Sequence, residues 1–213
     1  MPLILKTDNN NCIFGLWQIT EPIEKLKNDF DNAPKEEKEN LGKFKNPKRQ
    51  AEWIIARLLI YEIIEKKTVV DYDEYGKPSL RDDKRQVSIS HTDGMVAVQI
   101  GNIQAGVDVE KVSGRVAKIA HKFLNSSELD SIDIHNQLLH MYVHWGAKET
   151  VYKIYGKKRL DFKENIRIEP FKIEKKGTIK AILKTKEIIS FDLDYFVYDL
   201  PDQTKYMIVR YCK

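Results

Sequence analysis

The run from Val87 to Glu110 constrains the fold more than any other stretch of the chain. Residues alternate through Val87, Ser88, Ile89 and Ser90, so Val87 and Ile89 point to one side of a strand and the serines to the other. Asp93-Gly94 and Gly101-Asn102 are turn dipeptides between apolar segments, and the run reads as a three-stranded antiparallel meander. Its third strand, Ala105-Gly106-Val107-Asp108-Val109-Glu110-Lys111, puts both valines on one face and both acids on the other. At a rise of roughly 3.3 Å per residue the two carboxylates lie about 7 Å apart, a pairing tolerated when it stays solvated or holds a cation. The meander also brings Ser90 and His91 to the same sheet edge as Asp108 and Glu110. No further Ser/His/Asp pattern supports a nucleophilic triad.

Helical patterns flank this sheet. Pro22 opens a helical segment over Ile23 to Phe30, after a strand from Cys12 to Gln18, and the Lys- and Glu-rich stretch from Ala33 to Phe44 reads as an exposed helix. Lys35 and Lys38 share one of its faces. From Lys48 to Lys66, Ala51, Ile54, Leu58, Tyr61 and Ile64 recur at three- and four-residue steps and face a core, while Arg49, Trp53 and Arg57 form a second stripe. Tyr75 to Leu80 is a turn that presents Lys77. Asn125 followed by Glu128 fits a capping box.

Gln137 to Tyr155 is the strongest helix of the second half, closed by Gly156 with Lys157 and Lys158 beyond. Trp145, Lys148, Glu149, Tyr152 and Lys153 share one face, and Gly146 inside the helix implies a close approach by another backbone. From Asn165 onward the chain is strand-like, over Ile166 to Ile168, Thr178 to Leu183, Ile188 to Val197 and Tyr206 to Tyr211, with turns at Lys176-Gly177 and Pro201-Asp202.

Composition limits the partners. Lys+Arg 36 against Asp+Glu 32 is a net charge of +4, which suits an anionic small molecule or an acidic protein and is too small to argue for nucleic acid. No apolar run approaches the ~20 residues of a membrane span. Cys12 and Cys212 have no metal-ligand spacing and form no disulfide framework. The opening residues are too short for a signal-peptide core, so the expected location is cytoplasmic and reducing.

Read together, Gly76-Lys77-Pro78, Ser90-His91, Gly106 to Glu110 and Trp145-Gly146-Ala147-Lys148-Glu149-Thr150-Val151-Tyr152-Lys153 resemble the 4'-phosphopantetheinyl transferases of the larger, Sfp-type branch. The resemblance covers roughly residues 33 to 156 in motif order and spacing. It implies an α+β fold of two similar lobes, each with helices on a small antiparallel sheet and with the site between them. The lobes would divide as 1–103 and 104–213. It implies a monomer that moves the phosphopantetheine arm of coenzyme A to a serine of an apo acyl or peptidyl carrier protein, with Mg²⁺.

By the same resemblance Asp108, Glu110 and Glu149 match magnesium ligands, and Lys153 matches the lysine beside the reacting phosphate, with Lys148 as its neighbour. Ser90, His91 and Lys77 match positions that contact coenzyme A, Lys35, Lys38 and Arg49 match holders of its 3'-phosphate, and Glu128 matches a proposed general base. Gly146 departs from the family, which has Ser, Thr or Cys there. Two other readings compete. A basic module for RNA or another polyanion lacks an interleaved aromatic and basic groove, and a coenzyme A-binding relative without transfer activity would not need all three acids.

Overall fold

In this computed structural model, which describes residues 3–9, 12–157 and 160–213, the described residues form eleven strands in two antiparallel sheets, and seven helices. The strands are β1 (Leu3–Asn9), β2 (Cys12–Gln18), β3 (Val70–Tyr72), β4 (Pro78–Leu80), β5 (Gln86–Thr92), β6 (Met95–Gly101), β7 (Ala105–Lys111), β8 (Ile166–Ile168), β9 (Lys176–Lys184), β10 (Ile188–Asp199) and β11 (Lys205–Cys212). The helices are α1 (Ile23–Asp29), α2 (Lys35–Leu41), α3 (Pro47–Ile64), α4 (Arg115–Phe123), α5 (Ser126–Asp130), α6 (Gln137–Tyr155) and α7 (Phe162–Asn165). The fold is α+β, and packing divides it into two units, residues 1–105 with 212–213 and residues 106–211.

The first unit holds the sheet β1-β2-β6-β5-β4-β3, on which α3 lies. Asn46 starts α3 by accepting from the N–H groups of Lys48 and Arg49, and Pro47 takes the first helical position, where a missing N–H costs nothing. Ala51, Ile54, Ile55, Leu59 and Ile60 are buried against the sheet; Leu58 and Ile64, expected in the core, are only partly covered.

The second stripe of α3 is less solvated than its charges imply, for Arg57 is buried. Its Nε donates to Glu37 Oε2 at 2.9 Å, its guanidinium lies 3.3 Å from the centroid of the Trp53 ring, and the other Glu37 oxygen accepts from the N–H of Val70 at 2.7 Å. A buried charge survives when paired and hydrogen-bonded, so α2, expected as an exposed helix, is anchored through one carboxylate.

The meander expected from Val87 to Glu110 divides after two strands. β5 and β6 pair as expected, but β7 joins the other sheet, beside β11. The reason is edge occupancy: β6 is already hydrogen-bonded to β2 on one side and β5 on the other, so no ladder is left for a third strand. Ser90 and His91 therefore stand in a different sheet from Asp108 and Glu110.

The second unit holds the sheet β7-β11-β10-β9-β8 with α6 packed on it. The face of β7 that carries the acids is not wet at Asp108, which is 4% exposed. Helix α6 has the expected limits and ends on Gly156 at φ 64°, a left-handed cap that glycine adopts without strain. Gly177 lies in β9 and not in a turn; it pairs with Tyr195, whose ring covers it, so that an added Cβ would lie 2.9 Å from the ring.

The two C-terminal residues return to the first unit, although expected with the second lobe. Ile103 and Gln104 donate to the carbonyl of Lys213, and Cys212 is joined to Cys12, with Cα atoms 5.8 Å apart. That bridge was not expected from two cysteines 200 residues apart; the backbone bonds of Lys213 to Ile103 and Gln104 hold Cys212 in the first unit. Lys158, which follows the α6 cap in the sequence, lies outside the described residues. Among the described residues no helix is long and apolar enough to cross a membrane.

Candidate functional site

Two glycines let α6 lie close on its sheet. A Cβ on Gly106 would stand 2.6 Å from Ile154 Cγ1, and one on Gly146 would stand 2.7 Å from Val209 Cγ2 and 3.5 Å from Asp108 Oδ2. At Gly146 the close neighbour is thus the side chain of Val209 rather than a backbone, and that valine occupies the space where a Ser, Thr or Cys side chain would go. Thr150 fastens the same contact by donating to the Val209 carbonyl at 3.2 Å.

With α6 held there, its polar face meets the acids of β7. Lys153 Nζ donates to the Val107 carbonyl at 2.9 Å and to Asp108 Oδ1 at 2.8 Å. Trp145 Nε1 donates to Glu110 Oε1 at 3.0 Å. Glu149 lies one helical turn from each of Trp145 and Lys153. Burial, then the negative charges of Asp108 and Glu110, push its carboxyl up to about 7, against the pull of Lys153. Burial and Asp108 likewise raise Glu110, while the Trp145 bond, Lys153 and Arg115 oppose them. Glu149 thus lies within electrostatic reach of both strand acids.

The donor set fits a hard divalent cation, for which carboxylate oxygens are the natural ligands. Among the described residues, no three His, Cys, Asp or Glu side chains already stand as a cation cage. Magnesium does not need one, since it is usually bound through one or two carboxylates together with waters and substrate phosphates.

Glu128 and Lys148 form a separate pair. Glu128 completes the capping box of α5, its Oε2 accepting from the N–H of Asn125 at 3.0 Å and from Lys148 Nζ at 2.7 Å. Its Oε1 accepts from the N–H of Ile168 at 2.8 Å. Lys148 Nζ spends its other protons on the carbonyls of Phe123 and Phe162, at 2.7 and 2.9 Å. Both side chains are buried; burial lowers the Lys148 ammonium and the Glu128 carboxylate counters that. Glu128 was expected as a general base and Lys148 as a phosphate contact. The structure instead engages them with each other and with the backbone, because a buried lysine requires an anion and a full set of acceptors.

In the first unit Arg49 NH1 donates to Glu52 Oε2 at 2.8 Å and stands 2.9 Å from His91 Nε2; His91 Nδ1 is itself 3.3 Å from Glu52. Ser90 is buried beside it in β5. Lys77 sits in the turn after Gly76, its N–H bonded to Asp73 at 2.8 Å. On α2, Lys35 is exposed and 3.7 Å from Glu39, and Lys38 donates to the Asp31 carbonyl at 3.0 Å. The structure thus gathers Arg49, Glu52 and His91, while Lys35, Lys38 and Lys77 have other partners.

Sequence reasoning gave no role to Glu52, to the bond from Trp145, or to the buried ends of Glu37 and Arg57. The only signal available was spacing: Glu52 falls three residues after Arg49, and Trp145 four before Glu149.

Residues 104–203, which include Asp108, Glu110, Glu149 and Lys153, match the model of the 4'-phosphopantetheinyl transferase superfamily. This stretch is similar to that superfamily. The matched stretch takes in most of the second unit, and Lys35, Lys38, Arg49, Lys77, Ser90 and His91 precede it. A curated relative, the 4'-phosphopantetheinyl transferase gsp of Aneurinibacillus migulanus, is 29% identical over 163 residues, covering 72% of this chain and 66% of that protein. The chain thus spans just under two thirds of that relative's length.

Proposed function

We propose that the protein is a 4'-phosphopantetheinyl transferase of the Sfp type, moving the phosphopantetheine arm of coenzyme A to a serine of an apo carrier protein. The observation that carries this reading is the cluster of Asp108, Glu110 and Glu149 with Lys153 on the face where α6 meets β7. A magnesium ion held by these acids would supply positive charge to the diphosphate of coenzyme A. The ammonium of Lys153, now on Asp108, reorients to that diphosphate when it enters. By the family resemblance alone, Arg49, His91, Lys35, Lys38, Lys77 and Ser90 are proposed as further contacts of coenzyme A. Glu52 holds the Arg49 guanidinium beside the imidazole.

The carrier hydroxyl oxygen forms a bond to the β-phosphorus, the bond from that phosphorus to 3',5'-ADP breaks, and the hydroxyl proton passes to a carboxylate. Phosphoryl transfer of this kind depends on positioning and charge neutralisation, which this residue set supplies. The buried Glu128 and Lys148 serve to hold α5 to α6.

The test is mass spectrometry of apo acyl and peptidyl carrier proteins after incubation with the protein, coenzyme A and Mg²⁺. The added arm is expected with the wild type and lost with Asp108→Asn or Glu149→Gln. If a panel of apo carriers stays unmodified while a known transferase loads them, the proposal fails.

A further inference from the structure

Trp145 has two kinds of contact. Its ring packs edge-on against Phe123 at 5.1 Å and tilted against Phe162 at 5.7 Å, and its N–H reaches Glu110 Oε1 at 3.0 Å. The aromatic bracket accounts for a ring at this position and not for its N–H. A glutamate on a strand end has three free torsions, and ordering it on a cation costs rotamer entropy. Asp108 is ordered beforehand by Lys153; Glu110 is ordered by Trp145.

We propose that Trp145 is a positioning residue for the acidic cluster. Its indole N–H holds Oε1 of Glu110 so that Oε2 is presented to a divalent cation. Phe123 and Phe162 fix the ring, and the ring fixes the carboxylate. Partners of this kind, outside the ligand set, contribute about 10- to 100-fold to metal affinity. The inference rests on the reading of Asp108, Glu110 and Glu149 as cation ligands, and the experiment separates the two.

Mn²⁺ binding to the full chain, without coenzyme A, is measured by the electron paramagnetic resonance of the free ion. Wild type is compared with Trp145→Phe, with benzothienylalanine at position 145 (an isostere of indole with sulfur in place of N–H), and with Phe162→Leu, which loosens the bracket and spares the bond. Loss of the N–H should weaken Mn²⁺ binding about tenfold. At saturating Mg²⁺ the KM for coenzyme A in the labelling reaction should stay unchanged, and Phe162→Leu, which keeps the N–H, should lose less Mn²⁺ affinity than the variants without it. The isostere keeps the shape of the side chain and settles the matter if Trp145→Phe does not fold. Mn²⁺ binding as tight without the N–H as with it overturns the role of Trp145, as does an equal loss in Phe162→Leu. Mn²⁺ binding no tighter in wild type than in Asp108→Asn and Glu149→Gln overturns the cation reading beneath it.

Discussion

Glu128→Gln distinguishes a structural glutamate from a catalytic one. The carboxylate takes three hydrogen bonds, two from backbone N–H groups and one from an ammonium that is itself buried. Glutamine keeps a single carbonyl oxygen and turns an NH₂ toward donors, so Lys148 loses the carboxylate it is bonded to and at least one N–H loses its acceptor. Breaking a buried ion pair by changing one member costs about 3–5 kcal/mol, which is a large part of the 5–15 kcal/mol that holds a typical domain folded. Urea unfolding followed by circular dichroism should show a loss of that size. The double variant Glu128→Leu with Lys148→Met removes both charges and should recover most of it, since replacing a whole buried pair by apolar groups is often neutral. The folded double variant should still load a carrier. A fall under about 1 kcal/mol in Glu128→Gln, with transfer abolished and the double variant folded but inactive, would refute the structural role and restore the general base.

His144 is wholly buried on α6 beside His140 and Phe171, and burial, then His140 and Lys148, depress its imidazole to about 3. The unfolded chain takes up this proton near pH 6.5 and the folded chain does not, so stability should fall below pH 6.5, by about 2–3 kcal/mol at pH 4.5; in His144→Leu the acid unfolding curve should lose that slope. Gly146→Ala pushes a methyl to 2.7 Å from Val209 Cγ2 and should cost about 1–3 kcal/mol, recovered when Val209→Ala is added, as read by thermal unfolding. Protein prepared without reductant should take up no iodoacetamide at Cys12 or Cys212 until reduced, and reduction should lower its stability by about 3–5 kcal/mol, as expected for closing so long a loop.

Periodicity and caps were legible in the sequence because they are local. The limits of β2, α6 and β8, the capping box at Asn125 and the left-handed Gly156 all depend on residues within a few positions of one another. So does the shared face of Trp145, Glu149 and Lys153. Partner choice was not legible, because it depends on which edges and cavities remain when the rest has packed. Occupied edges on β6 send β7 to the other sheet, Val209 makes glycine necessary at 146, and the depth of burial decides that Lys148 bonds Glu128 while Lys153, five residues on, bonds Asp108. Sequence by itself determined which residues could do chemistry; tertiary structure decided which of them meet, since burial and strand pairing are properties of the whole chain and of no single segment.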